Sequence, residues 1–557
     1  MLDSFFFDTA ASEPERPALW VDEHLYCYGE LASRASRIAA GLTSAMPAGG
    51  VRRCLLFAHR SVAAYAGLLG VMKAGFAYVP LNPTLPAARI AAAVEQSEAP
   101  VLLVDRRCTA LLDEVLMLID ECPQIFFIDD EEDPSGMDDS PADRRVADLP
   151  RLPETSPVDP CRAVERAPHD HAYVLFTSGS TGAPKGVPIA HANACAYVAA
   201  QLQLLGRLPD ARYAQFCELS FDPSVHDMFV CWANGACLYV PKTAEPIYNA
   251  AFIREHAITH WNSVPSVAAF MRQLRKLARN QFASLRVTCF GGEPLPVSLA
   301  QAWQQAAPQS RIFNLYGPTE TTVACSAFEA TPQFLADPTH AVMPLGQALP
   351  GMELLIVDAA LQPVAQGESG ELLIGGPQVA VGYLRADEPN NCRFVTRRYA
   401  GLRSSHWYRS GDAAREIAQQ GIVFQGRLDT QVKIRGNRIE IEEVEQVVQT
   451  SSRAALCAVI AWPVDEAGRA HGLLAFVTHT PVDVAQILHA CRQRLPAYAV
   501  PQRVIVLDAM PLNANGKIDR KALAAHCASG DAFTLRTHSI RDGDVRVPRE
   551  KFTQSGK

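Results

Sequence analysis

Short apolar runs alternate with helical stretches along the first third of the chain. Cys54-Leu55-Leu56-Phe57-Ala58 has the length and composition of a buried strand. From Val62 to Ala74 the apolar spacing is helical and stops near Gly75. Phe76 to Leu81 reads as the next strand, Pro86 to Gln96 as a helix, and Val101 to Asp105 as another strand. Strands separated by helices predict an α/β domain with a mainly parallel sheet. The acidic, proline-rich stretch from Asp129 to Pro160 reads as a surface loop, and the α/β pattern resumes from His171 to about Ser326.

After Gly346 the texture changes to short alternating strands split by glycines, such as Glu353 to Val357 and Glu371 to Ile374, which predicts a small β-rich subdomain. From about Thr430 a separate α+β unit is expected. Its helices run from Arg438 to Gln449 and Val484 to Arg494, and its strands from Leu456 to Ala461, Leu473 to Val477 and Val504 to Leu507. The expected division is a core over 1–428, a mobile C-terminal domain over 429–525 and a disordered tail over 526–557.

Composition narrows the function classes. In 557 residues, 48% are hydrophobic and 20% charged, which excludes a disordered or collagen-like chain. A net charge of -8 argues against a general nucleic-acid surface. The 15 cysteines include no C-x-x-C pair, so neither a zinc site nor a small disulfide framework fits, and free thiols in a reducing cytoplasm are expected. Met1-Leu2-Asp3-Ser4 carries an acid where a secretory signal would carry a base. No apolar run of about 18 residues occurs, since Lys73 breaks the best candidate, so no membrane span is expected.

Candidate chemistry begins at Phe176-Thr177-Ser178-Gly179-Ser180-Thr181-Gly182-Ala183-Pro184-Lys185-Gly186, which follows an apolar strand. Glycines let a backbone approach an anion, hydroxyls and N–H groups donate to phosphate oxygens, and Lys185 adds a point charge. The spacing is not that of a Walker A loop. The string resembles the phosphate loop of adenylate-forming enzymes: acyl-CoA synthetases, luciferases and nonribosomal-peptide adenylation domains. Further segments resemble the same family in order. They are Val71 to Gly75 with Tyr78 to Pro83, Asn314 to Thr322, Tyr408 to Asp412, Gly426 to Gly436, and Pro511 to Lys521. Each alone is a hypothesis; the ordered set is specific.

The resemblance implies ATP and Mg²⁺ as cofactors and a two-domain α/β fold. It implies that Thr177, Ser178, Gly179, Ser180, Thr181, Gly182 and Lys185 hold the β- and γ-phosphates, and it adds Gly292, Glu293 and Pro294 to the nucleotide site. Thr319 would contact the α-phosphate and Glu320 would help to hold Mg²⁺. Tyr316 would stack on adenine with Asn314 at its edge and Gly317 beside it, Asp412 would accept from the ribose hydroxyls, and Arg427 would assist. Lys517 would bridge the substrate carboxylate and the α-phosphate in the first step, and Asp429 would be the hinge. Taken singly, each residue also has an ordinary reading: Tyr316 as a core aromatic, Asp412 as a turn cap, Glu320 as an exposed acid, Lys517 as a solvated loop lysine.

Leu219 to Asp227 resembles the segment of amino-acid-activating members whose aspartate pairs with the substrate ammonium, which makes Asp222 the candidate partner. The alternative is that Asp222 caps a helix beginning at Pro223. By the same resemblance Pro223, His226, Asn262, Thr288, Phe290, Leu315, Val323 and Ala324 would line the side-chain pocket. Phe290 is bulky, which implies a small L-α-amino acid: alanine, serine, threonine, glycine or proline. His226 could equally be an ordinary packed histidine.

Only a short tail follows the Lys517 loop, and no condensation-domain H-H-x-x-x-D-G or G-x-S-x-G segment occurs. The chain therefore resembles a stand-alone adenylation enzyme that passes its product to the phosphopantetheine thiol of a separate peptidyl carrier protein, with a small activating protein as a further candidate partner. The resemblance is altered at Glu442, where glycine is usual, and at Ser410, where threonine is usual. Two other readings stand beside it. An acyl-CoA synthetase for a small acid has no use for Asp222. A dead adenylate-binding protein has no use for Lys517 and Asp412.

Overall fold

The computed structural model describes residues 1–45, 50–128, 166–179, 183–208, 210–243, 245–452, 454, 456–465, 468–478, 482–513 and 517–529. The loop expected from Asp129 to Pro160 and the tail beyond residue 529 lie outside them.

Two large sheets carry the bulk of the chain. Among the described residues one has six strands, ordered Gln124–Phe127, Val101–Val104, Arg53–Phe57, Ala77–Leu81, His171–Thr177 and Lys185–Ala190. All neighbours are parallel except the last pair. The apolar runs Cys54 to Phe57 and Val101 to Val104 are buried throughout, as a sheet covered on both faces demands. The helices Val62–Lys73 and Ala87–Ser97 provide the crossovers. Ser61 caps the first by accepting from the Ala64 N–H at 3.3 Å.

The second sheet has nine strands. Its parallel centre runs Arg311–Tyr316, Val287–Gly291, His260–Ser263, Arg212–Ala214, Cys237–Tyr239 and Pro17–Val21, with antiparallel strands added at each edge. The expected β-rich subdomain follows: Glu353–Val357, Ser369–Gly375, His406–Ile417, Phe394–Thr396 and Gly421–Arg427 form one antiparallel sheet. The fold is thus a large α/β N-terminal part with a β subdomain and a small α+β C-terminal part.

In the C-terminal part, Cys457–Ala461, Leu473–Thr478 and Arg503–Leu507 make a three-stranded sheet. Helices Ile441–Ser452 and Val484–Arg494 pack with one face of it, in a core that includes Val444, Val448, Ala475 and Ile487. Two expectations need correction. The first helix starts at Ile441 rather than Arg438, because Asn437–Ile439 pairs with Val432–Ile434 as a hairpin. The chain after Ala525 is not disordered at once: Arg520–Ser529 is a helix. Asp519 accepts from the Ala522 N–H at 3.0 Å, Arg520 pairs with Glu445 at 2.7 Å, and Leu523 is fully buried. The charge run at its start hid the apolar anchor.

Candidate active site

A cavity of about 490 Å³ lies where the two large sheets, the β subdomain and the C-terminal part meet. Strand ends and short turns supply most of its wall, as expected at the carboxyl ends of parallel strands.

The phosphate loop is a hairpin connection. Thr177 and Lys185 sit opposite each other across antiparallel strands. Thr177 and Ser178 line the cavity. The Thr177 hydroxyl is buried with no hydrogen-bond partner among the described residues, and Gly179 is buried beside it. Ser180, Thr181 and Gly182 lie outside the described residues. The Lys185 ammonium is 1% exposed, 3.6 Å from Glu440 and 3.9 Å from Glu320, and 5.0 Å above the Tyr383 ring. Burial and the Arg438 charge push it down to about 8, against the pull of the two glutamates.

Glu320 lies in a short helical turn and is fully buried, which removes its reading as an exposed acid. It accepts from the Tyr383 hydroxyl at 2.7 Å and from Arg438 Nη1 at 2.8 and 3.1 Å. Burial would raise its carboxyl; the charges of Arg438 and Lys185 outweigh that and hold it well below the usual range. Thr319, one residue earlier, lines the cavity together with Asp222.

Tyr316, Gly317, Asp412 and Arg427 form a second wall. The Tyr316 hydroxyl donates to Asp412 Oδ2 at 2.5 Å, and Arg427 donates to Oδ1 at 2.7 Å. A Cβ on Gly317 would stand 2.6 Å from the Ala324 backbone, so only glycine lets this strand end close over the turn. That turn holds Thr322 and Val323 at φ 59° and 66°, a strained conformation for β-branched residues, and Val323 faces the cavity. Asn314 does not reach the wall: its amide donates to the Pro344 carbonyl at 2.7 Å. Asp429 is also off the wall, held by Arg427 at 2.6 and 2.9 Å and by Arg393 at 2.9 Å.

The hairpin after Asp429 plugs the cavity. Ile434 and Ile439 face the C-terminal core, so by strand alternation the paired residues Lys433 and Arg438 face the other way, into the cavity. Gly436 makes the turn at φ 78°, and its N–H donates to Glu293 at 2.5 Å. The other Glu293 oxygen accepts from the Ser266 N–H at 2.9 Å. Glu293 and Pro294 are therefore behind the wall, whereas Gly292 is part of it. Ser178 donates to the Arg438 carbonyl at 2.9 Å, and Arg89 pairs with Glu443. Lys433, Arg438, Glu440 and Tyr383 are functional candidates that the sequence reading missed. The signal was present in charged residues alternating with Ile434 and Ile439 around an Arg-Gly-Asn turn.

Lys517 stands exposed in its own turn, where its N–H donates to the Asn513 side chain at 3.1 Å, and it is not on the cavity wall. In this arrangement the cavity takes Lys433 from the C-terminal part instead.

Asp222 is on the wall, and no side-chain cap bond ties it to the helix at Pro223. Burial raises its carboxyl to about 6, against the nearby Thr319 hydroxyl and the Lys433 charge. Pro223, Asn262, Leu315, Val323 and Ala324 join it. His226, Thr288 and Phe290 do not. His226 is packed, its Nδ1 2.7 Å from the Tyr197 hydroxyl, and burial lowers its pKa to about 4. Thr288 and Phe290 share the face of their strand that packs on helix Val297–Ala306: Thr288 accepts from Trp303 at 3.0 Å, and the Phe290 ring meets Trp303 edge-on at 5.5 Å. Phe290 therefore sets no limit on the size of the substrate.

Among the described residues no group of three or more His, Cys, Asp or Glu side chains could hold a metal alone. Mg²⁺ that arrives with a nucleotide needs only one or two protein carboxylates. Glu320 fits that need once Arg438 is withdrawn. No described helix is long and apolar enough to cross a membrane.

Comparison with known proteins places the chain in a family. Residues 6–384 match the family described as AMP-binding enzyme, and residues 443–517 match the AMP-binding enzyme C-terminal domain. An L-proline–[L-prolyl-carrier protein] ligase of Pseudomonas fluorescens is 34% identical over 94% of this chain and 99% of its own length. Tyrocidine synthase 2 of Brevibacillus parabrevis is 31% identical over 94% of this chain, which spans 13% of that protein. The Vibrio cholerae adenylation domain AlmE, solved with glycyl-adenosine-5'-phosphate, superposes with a TM-score of 0.83 at 30% identity, over 95% of this chain and 98% of that one.

Proposed function

The chain belongs to the AMP-binding enzyme family and is an ATP-using, AMP-forming adenylation ligase, and from that premise we propose that it activates a small α-amino acid and loads it onto a carrier protein. The observation that carries this reading is one cavity shared by Asp222, Thr319, Tyr316, Asp412 and Gly436. A carboxylate there suits an ammonium, because a buried cation needs a partner. The named relatives, a prolyl-carrier ligase and a domain solved with a glycyl adenylate, support a small substrate.

In the first half-reaction the amino-acid carboxylate attacks the α-phosphate of ATP and pyrophosphate leaves. Asp222 holds the ammonium, Thr319 donates to the α-phosphate, Asp412 and Arg427 hold the ribose, and Tyr316 faces the adenine. Lys185 and the Thr177 and Ser178 hydroxyls serve the outer phosphates. Mg²⁺ held by Glu320 would neutralise phosphate charge. Lys517 supplies a cation at the reacting oxygens, which requires the C-terminal part to turn about Asp429 from the present arrangement.

The present arrangement suits the second half-reaction. Arg438 and Glu440 engage Glu320 and Lys185, the charges that ATP and its metal would use. Gly436 meets Val264 and Glu293, where a thiol arm would enter. The thiol sulfur attacks the aminoacyl carbonyl, the bond to the phosphate oxygen breaks, AMP leaves with its electron pair and the thiol proton passes to solvent, with the Lys433 amine on the same wall as Asp222 and Asp412. The test is incubation with ATP, a small amino acid and a phosphopantetheinylated carrier protein. The expected result is one aminoacyl mass added to the carrier. AMP formation with no carrier product, and with product on coenzyme A instead, would overturn the loading step.

A further inference from the structure

The strand Arg53–Phe57 and the helix Val62–Lys73 are joined by four residues, and both ends of the join are fixed: Phe57 is fully buried, and Ser61 caps the helix. Arg60 reaches from this join to the other large sheet. Its Nη1 donates to the Gln215 and Phe216 carbonyls, both at 3.1 Å, and its Nε pairs with Glu218 at 3.3 Å. These partners follow directly on the strand Arg212–Ala214. Gln215 and Phe216 are buried, and among the described residues no backbone N–H bonds either carbonyl. A buried carbonyl needs a donor, and the Arg60 side chain, only 7% exposed, supplies it to both. The bonded segment runs on to Asp222. A turn closes as the Phe221 N–H donates to the Glu218 carbonyl at 3.1 Å, and the buried Ser224 hydroxyl is within reach of the Phe221 and Leu219 carbonyls, at 2.7 and 3.2 Å. Phe216, Glu218 and Asp222 line the cavity; Arg60 does not.

We propose that Arg60 is a positioning residue for amino-acid activation: it ties the segment from Gln215 to Asp222 to the opposite sheet, and so holds Asp222 in register with the phosphate loop. The inference rests on the reading of Asp222 as the ammonium partner. The phosphate loop leaves, at Thr177, the same sheet that supplies Arg60, whereas Asp222 follows a strand of the other. The amino acid and the outer phosphates of ATP are therefore held from different sheets, and the carboxylate meets the α-phosphate only if the two keep their spacing. Rates are steep in that spacing: a misplacement of about 1 Å costs about 10²-fold. A guanidinium suits the task, because its planar fork meets several acceptors at fixed angles and an ammonium does not.

The test is amino-acid-dependent ATP–pyrophosphate exchange by two variants. Arg60→Gln keeps a donor for a carbonyl and loses the charge; Arg60→Lys keeps the charge and loses the fork. Arg60→Gln is expected to lower kcat/KM for the preferred amino acid by about tenfold or more, with KM for ATP within about twofold. Arg60→Lys recovers part of the loss, to within about threefold of wild type. Adding Glu218→Gln to Arg60→Gln deepens the loss by no more than about twofold, because both act through one contact. If Arg60→Gln fails to fold, Glu218→Gln, which leaves both carbonyl bonds in place, carries the test. It must then lower kcat/KM for the amino acid by about threefold or more at an unchanged KM for ATP. Wild-type kinetics in these variants, a KM for ATP that rises with the loss, or full additivity in the double variant overturns this inference alone. Wild-type activation by Asp222→Ala, or absence of exchange by a wild-type protein that binds ATP, overturns the reading beneath it and this inference with it.

Discussion

Arg438 and Glu320 are 118 residues apart in the chain, yet the Arg438 guanidinium donates to both Glu320 carboxylate oxygens, at 2.8 and 3.1 Å. The pair joins the C-terminal hairpin to a fully buried acid next to Thr319 on the cavity wall. Breaking a buried pair by removing one partner costs about 3–5 kcal/mol. Arg438→Met should therefore weaken the arrangement seen here more than one in which Lys517 enters. The expected outcome is a drop of about tenfold or more in thioester transfer, with ATP–pyrophosphate exchange within about threefold. The two half-reactions, assayed separately, decide it; equal losses would deny the pair its arrangement-specific role.

Lys517 acts in the other arrangement. Lys517→Ala should lower adenylate formation by ~10²–10³-fold, the scale for removing one charge-stabilising donor. Transfer from a supplied aminoacyl adenylate should survive much better, since Lys517 is exposed and off the wall here. Single-turnover transfer assays check this. A matching loss in transfer would remove the distinction between the lysines.

Asp222 gives the site a pH dependence of known sign. Its carboxyl is raised to about 6 by burial, and it must be ionised to hold an ammonium. The kcat/KM for the amino acid should fall below pH 6, by about tenfold per unit for one proton, while KM for ATP stays level. Asp222→Ala should abolish activation with ATP binding intact. A flat profile from pH 5 to 8 would leave Asp222 without this role.

Buried histidines predict acid sensitivity of the fold. Burial lowers His226 to about 4 and His260 to about 3, below the ordinary value of 6.5. Both bind fewer protons folded than unfolded between these values, so stability is fully present above 6.5 and is lost as pH falls toward 4. For His226 alone the loss is about 3 kcal/mol. Thermal unfolding from pH 7 to 4 should show Tm falling, and His226→Asn should shallow the slope; an unchanged slope would contradict the assignment.

Much of this was legible in the sequence. Val62 to Lys73 was legible from an apolar run too long for a strand that stops at Gly75, Val484 to Arg494 from its periodicity, and the strand Glu353–Val357 was read residue for residue. Asp222, Tyr316 and Asp412 were legible because their turns are local. What failed depended on partners distant in the chain. Strand alternation around Val287–Gly291 turned Thr288 and Phe290 toward Trp303, and no local signal reports which face of a doubly covered strand meets a cavity. Asn314 is captured by Pro344, 30 residues on. Lys433 and Arg438 enter the site only because a whole domain is docked there.

The central claim is amino-acid adenylation, and the most direct measurement is amino-acid-dependent ATP–pyrophosphate exchange by the purified protein. The panel is the small amino acids in both stereochemical forms, with acetate, propionate and benzoate as controls. Exchange that depends on one small α-amino acid and is absent with the simple acids is the predicted result. Exchange driven by a simple acid, with none for any amino acid, would contradict it.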